Sequence, residues 1–224
     1  MDGIPQSGSY TLSQHVFQIF PTVILRCVTP QKAGDSMNIG IVGAGKVGFS
    51  FGRLLAEKGV RISGYYSRNS DLGKLIEDSD AIFITVPDNA ITEVYRQVAE
   101  FEIQDKYICH CSGACTAEEA FPGIHAQGAY AISIHLLFPI SSKYNCWREL
   151  AGAFFCVEGD AQAVEVFVPL LRGLGLQVQI ISPESKAQYH LSCALASNFV
   201  CALVQRSAEL LGGCGFSKTD ALHA

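Results

Sequence analysis

From Met37 onward, short apolar runs alternate with segments whose apolar residues recur every three or four positions. Residues 38–42 (N-I-G-I-V) read as a strand. Gly43-Ala44-Gly45-Lys46-Val47-Gly48 follows, then a helix with Val47, Phe51, Leu54 and Leu55 on one face and Gly59 as its stop. Residues 60–66 form a second expected strand, 71–78 a short helix and 81–86 a third strand. Pro87 opens a helix running to about Glu100. Further strands are expected over 106–111, 129–135, 153–157 and 176–181, with a helix over 160–171 before the last. Near-continuous apolar strands separated by helices must be covered on both faces. The expected fold is therefore α/β, a doubly wound, mostly parallel sheet over residues 37–182.

A different pattern begins at Ser182-Pro183-Glu184. A capping hydroxyl, a proline in the first turn and an acid near the positive end of the dipole mark a helix start. No breaker appears until Gly212-Gly213, so about 28 residues give a helix about 42 Å long. Such a helix must leave the sheet domain and pack on something else. Ser217-Lys218-Thr219-Asp220 looks like the start of another helix. Residues 183–224 are thus expected to be the truncated start of an all-α C-terminal domain that pairs with a second copy of the chain. The most apolar run, 191–204, is interrupted by Ser197 and Asn198 and falls short of the ~20 residues of a membrane span. Residues 1–36 read as a poorly ordered extension. Their lack of acids between Gly3 and Gly34 leaves a mitochondrial transit peptide as an alternative.

Composition narrows the classes. Of 224 residues, 49% are apolar and 17% charged, which excludes intrinsic disorder. A formal net charge of −5 argues against a dedicated nucleic-acid binder. The nine cysteines are odd in number, irregularly spaced and mostly inside apolar runs, so a reducing, cytoplasmic compartment is expected. Cys109-His110-Cys111 with Cys115 has no second pair at zinc spacing and reads as an interior strand, with no metal assigned.

The glycine motif carries the first chemistry. Gly43, Gly45 and Gly48 follow a strand and open a helix, the context in which G-x-G-x-x-G seats a dinucleotide pyrophosphate on a helix N-terminus. Ala44, Lys46 and Val47 complete the contact set. About 20 residues on, an acid would bond the ribose of NAD; here the stretch is Tyr65-Tyr66-Ser67-Arg68-Asn69. Arg68, with Ser67 and Asn69 as further donors, suits a 2′-phosphate, so NADP is favoured. Val86-Pro87-Asp88 and Ser112-Gly113 fall at carboxyl ends of strands, where Val86, Pro87 and Ser112 can meet nicotinamide or substrate. On the long helix, Lys186 and His190 are i, i+4 neighbours, and Ser197 and Asn198 follow at i+7 and i+8 from His190. A polar row on an apolar helix suggests a cleft.

Together the G-A-G-K-V-G opening, Ser67-Arg68-Asn69, Val86-Pro87-Asp88, His110-Cys111-Ser112-Gly113-Ala114 and the Lys186…His190…Ser197-Asn198 helix resemble one family. These are Rossmann-like oxidoreductases with an appended C-terminal domain of unknown function. They belong to the 6-phosphogluconate dehydrogenase-type superfamily, alongside 3-hydroxyacid dehydrogenases, ketopantoate reductase and pyrroline-5-carboxylate reductase. The resemblance covers residues 37–224 and implies an NADP-dependent enzyme moving a hydride to or from a C=O or C=N bond of a small polar substrate. In related dehydrogenases a helix lysine polarises the substrate oxygen, with an asparagine one turn later. Lys186 matches the lysine, and His190 stands where that asparagine would be. The implied catalytic set is Lys186 as donor, His190 second, Asn198 orienting, and Ser112. His135 is followed by Leu136 rather than the expected proline, which leaves it without an assigned role. A non-catalytic NADP(H)-binding or sensor protein, and a subunit whose long helix serves mainly to dimerise, remain the alternatives.

Overall fold

A computed structural model describes residues 37–67, 70–144 and 147–223. The extension over 1–36 lies outside the described residues. Seven strands form one sheet in the order β2-β1-β3-β4-β5-β6-β7. They are β1 (Asn38–Val42), β2 (Arg61–Tyr66), β3 (Ala81–Ile84), β4 (Tyr107–His110), β5 (Tyr130–Leu137), β6 (Phe154–Gly159) and β7 (Gln177–Ile180). Helices α1 (Lys46–Glu57), α2 (Leu72–Glu77), α3 (Ile91–Val98), α4 (Ala117–Ala120) and α5 (Ala161–Gly173) cover the two faces.

Each face has its own core. Phe51, Leu54 and Leu55 of α1 pack with Phe83, Phe155 and α5 residues Phe167 and Leu171. On the other face Leu75, Ile76, Tyr95 and Val98 pack with Ile82, Ile84 and Phe121. Strands β1, β3 and β4 are buried on both sides, which is why they read as unbroken apolar runs rather than alternating ones.

One pairing departs from the parallel pattern: β5 and β6 are antiparallel, while β6 and β7 run parallel to each other. Among the described residues, the link from β5 to β6 contains only a short 3-10 turn, Glu149–Gly152, and not the crossover helix a parallel pairing needs. The register shows the result. His110, the last residue of β4, pairs with Ser133, and Ser133 pairs with Glu158 near the end of β6. β5 therefore runs four residues past the carboxyl ends of its parallel neighbours, and β6 and β7 bring the chain back to that edge.

There the long helix begins. A 3-10 turn (Pro183–Ser185), α6 (Lys186–Ala194), a π-helical turn (Leu195–Phe199) and α7 (Val200–Gly213) run without a break, followed by α8 (Lys218–His223). Ser197 and Asn198 do not interrupt it. The Ser197 hydroxyl donates to the Cys193 carbonyl 2.6 Å away, and the backbone absorbs the polar residues as a π turn. The continuous helix of 31 residues, Pro183–Gly213, is long and apolar enough by length and composition to cross a membrane, which corrects the expectation that the run is too short. Leu191, Leu195, Phe199, Leu203 and Leu210 stand exposed along it.

Candidate functional site

The Gly43–Gly48 turn joins β1 to α1 at the carboxyl edge of the sheet. Gly43 has φ of 103°, a conformation that glycine adopts without strain. The Thr85 hydroxyl donates to its carbonyl at 2.7 Å and fixes the turn against β3. A Cβ on Gly48 would be driven into that hydroxyl and the Gly43 carbonyl, so this glycine serves close packing of helix on sheet. Gly45 is different: nothing lies within 4 Å of a Cβ built on it. Packing gives no reason for a glycine there, whereas close approach of a ligand to the backbone does. The start of α1 has no side-chain N-cap and no acid in its first turn, so its leading N–H groups face the turn with their partial positive charge unanswered. The exposed Lys46 adds a cation, and Ala44 and Val47 are half-buried at the rim. The donor set fits a pyrophosphate.

At the end of β2, the Ser70 hydroxyl closes a small turn, accepting from Ser67 N–H and donating to Ser67 C=O, both at 2.7 Å. Arg68 and Asn69, expected to grip a 2′-phosphate, lie outside the described residues. The first acid beyond β2, Asp71, is the N-cap of α2 and accepts from Lys74 N–H at 3.0 Å. No other acid lies between the end of β2 and that cap.

The next two loops are bonded together. Val86 is half-buried beside Gly43, Pro87 is exposed, and Asp88 follows in a 3-10 turn. The Ser112 hydroxyl donates to Asp88 Oδ2 at 2.8 Å and accepts from the N–H groups of Ala114 and Cys115, each at 3.2 Å. A hydroxyl has one proton and two lone pairs, so all three capacities are engaged. Ser112 shapes the loop instead of reaching for a ligand, which corrects its expected catalytic part.

Lys186 departs further from expectation. It does not look into an open cleft; it is 1% exposed and points into the sheet domain. Its ammonium donates to Glu158 Oε1 at 2.6 Å and to the Ser133 hydroxyl. Glu158 Oε1 also accepts from Ala117 N–H, the first residue of α4, at 2.9 Å. Glu158 Oε2 is buried and has no partner among the described residues. The reason is positional: α6 starts where β7 delivers it, over the level of Ser133 and Glu158, so its first side chain lies across this cross-strand pair of β5 and β6. This buried cation also helps to hold the pKa of His110, at the end of β4, down to about 3, second to the effect of burial. His110 Nδ1 accepts from Ser112 N–H at 3.1 Å, as a neutral ring does.

One turn beyond Lys186, His190 and Tyr189 do reach the carboxyl edge. A Cβ on Gly113 would lie 2.8 Å from His135 Nε2 and 3.0 Å from His190 Nδ1, so the missing side chain lets two imidazoles converge. His135 Nδ1 lies 2.6 Å from the Tyr189 hydroxyl. Burial, then the charges of Lys186 and His190, lower the His135 pKa to about 4, while Asp88 opposes them. Burial, with the neighbouring thiols of Cys156 and Cys193, raises that of Tyr189 well above the usual phenol value. Asn198 is not part of this group. It lies eight residues past His190, about 12 Å along the helix, and is exposed on the π turn. The edge thus gathers Lys186, Ser112 and His190 but leaves Asn198 out, and it adds His135, Tyr189 and Glu158. A signal for these additions was present: Ser133 and His135, two residues apart on an apolar strand, share one face.

The class of protein follows from the sheet, its order and its glycine turn: a Rossmann-like α/β domain with a helical C-terminal segment. Residues 153–224 match the family described as "Domain of unknown function (DUF2520)". The match begins inside the sheet and takes in β6, α5 and β7 as well as the long helix. No curated protein matches the chain in sequence. Among solved structures, the chain is similar to a NADH-preferring ketol-acid reductoisomerase from an uncultured archean, with 16% identity and a TM-score of 0.68, covering 83% of this chain and 64% of that one. It is also similar to a reductive aminase from Aspergillus terreus in complex with NADPH and ethyl-5-oxohexanoate, with 15% identity, TM-score 0.65 and 84% and 71% coverage. The third is the Plasmodium falciparum pyrroline carboxylate reductase with NADP bound, with 11% identity, TM-score 0.58 and 84% and 73% coverage. At these identities the likeness is one of fold, and at that level the resemblance seen in the sequence holds.

Proposed function

We propose that the chain is an NADP-dependent oxidoreductase that moves a hydride to or from a C=O or C=N bond of a small polar substrate. The observation that carries this is the turn itself, where Gly45 is open on all sides and the N-terminus of α1 has no cap of its own. A pyridine nucleotide bound there supplies or accepts the hydride. The protein's part is to seat the pyrophosphate on the turn, to leave the strand ends clear for the nicotinamide, and to present polar groups around Gly113 to the reacting bond. Two of the similar structures are named with NADPH or NADP and one as NADH-preferring, so the cofactor preference rests on this chain's own β2 end. The sequence supplies Arg68 there, and no acid that would repel a 2′-phosphate stands between the end of β2 and Asp71, the N-cap of α2.

Calorimetry with NADPH and NADH tests the reading. Tighter binding of NADPH is expected, and Arg68→Asp should reverse the order. No heat from either nucleotide would overturn it. Tight NADPH binding with no turnover of any oxo acid, ketone or cyclic imine would favour a non-catalytic binding or sensor role. The exposed leucines of the long helix support pairing with a second copy of the chain. Sedimentation should show a dimer; a well-behaved monomer would refute this.

A further inference from the structure

We propose that His135 is a catalytic residue: its Nε2–H donates a hydrogen bond to the oxygen or nitrogen of the substrate's C=O or C=N bond, at the carboxyl edge of the sheet beside Gly113. Tyr189 is the positioning residue behind it. The assignment rests on the oxidoreductase reading for the bond being reduced, and on the geometry of this edge for the rest.

Three observations converge. First, the ring is oriented. The Tyr189 hydroxyl is 2.6 Å from His135 Nδ1, and the two rings meet edge to face with centroids 5.6 Å apart. The contact engages Nδ1, so Nε2 is the ring nitrogen left for a ligand; with the Tyr189 phenol as donor to Nδ1, the proton of a neutral imidazole sits on Nε2. Second, Nε2 is aimed. It sits at the carboxyl edge against the Gly113 backbone: a Cβ there would be 2.8 Å from it, 2.9 Å from the ring's Cε1 and 3.0 Å from His190 Nδ1, so only glycine lets the two rings meet at this place. Third, the ring stays neutral at ordinary pH. Burial keeps a second proton off, the Lys186 cation and His190 act in the same direction, and together they outweigh the Asp88 carboxylate. A neutral imidazole is then a fixed hydrogen-bond donor that needs no reorganisation as negative charge develops on the reacting atom.

The other polar groups at this edge have different work. Lys186 is held by Glu158 and Ser133, and the Ser112 hydroxyl by Asp88 and two backbone N–H groups. His190 is exposed to solvent.

The test has two independent arms. Nitrogen-15 NMR of the imidazoles at pH 7, with His135 assigned by the loss of its signals in His135→Gln, should show Nδ1 bare and Nε2 protonated. Tyr189→Phe should weaken that bias. An Nδ1–H tautomer, or an imidazolium, overturns the proposal whether or not the protein turns over any substrate. Kinetics with NADPH and cyclohexanone or 2-methyl-1-pyrroline form the second arm. His135→Gln should lower kcat by about 100-fold and Tyr189→Phe by about 10-fold, with KM for NADPH unchanged in both. A wild-type kcat in His135→Gln removes His135 while leaving the oxidoreductase reading intact. Absence of NADPH binding in the wild type overturns that reading while the tautomer result still stands.

Discussion

Replacing Lys186 by Met separates a buried ion pair from a catalytic acid. Both partners are almost fully enclosed, with side chains 2% exposed. Without the ammonium, Glu158 would keep one hydrogen bond, from Ala117 N–H, and its second oxygen already has none among the described residues. An uncompensated carboxylate at such depth costs ~3–5 kcal/mol. Against a typical stability of ~5–15 kcal/mol that is a large fraction, and for a chain of this length it lowers Tm by roughly 6–20 °C. The double variant Lys186→Met/Glu158→Gln removes both charges and keeps an amide oxygen for Ala117 N–H, so it should recover at least half of the loss. Urea unfolding followed by far-ultraviolet circular dichroism gives the four corners of the cycle. A Lys186→Met variant within ~0.5 kcal/mol of wild type, or a double variant no more stable than the single, would refute the pairing. Lys186 would then be free to act on substrate.

Two further expectations follow from local geometry. Gly45→Ala should leave stability within ~0.5 kcal/mol of wild type, since its Cβ meets nothing and the backbone φ of −75° suits alanine, yet weaken NADPH binding by ~10-fold or more. Gly48→Ala should destabilise the fold as well, and equal melting temperatures for the two variants would contradict the packing described. The second concerns acid. His110 and His135 have pKa values lowered to about 3 and about 4, so the unfolded chain takes up protons below about 6.5 that the native state refuses. Stability is full above pH 6.5 and falls as the pH drops toward 4, by ~2 kcal/mol per histidine at pH 5. A flat denaturation midpoint between pH 7 and 5 would show that the rings are solvated.

The alternation of apolar strands and helices was enough to place all seven strands, because burial on both faces leaves an unbroken hydrophobic run whatever the partners are. Direction is another matter. Nothing within Phe154–Gly159 says that this strand runs against its neighbour; that follows from the connection before it, whose described residues form only a 3-10 turn. The four-residue α4 was missed because a single turn cannot repeat its period, although Thr116 and Glu119 form a capping box at its start. At the site, the glycine turn was legible because it is contiguous. Lys186 and His190 were found as residues, but spacing along a helix shows only which side chains share a face. It does not reveal that the first turn inserts into a neighbouring sheet while the third stands clear of it. His135 and Glu158 were missed because their roles come from cross-strand register, which brings together residues far apart in the chain.

The reversal at β6 bears on where one module ends and the next begins. Dividing the polypeptide at Ser182, between the last strand and the first helix, would strip the sheet of the lysine that neutralises Glu158 and of both side chains that frame His135. The seam in the architecture therefore runs across the helix, beyond His190. A shortened version meant to retain nucleotide chemistry has to carry at least the opening turns of what looks, in outline, like somebody else's domain.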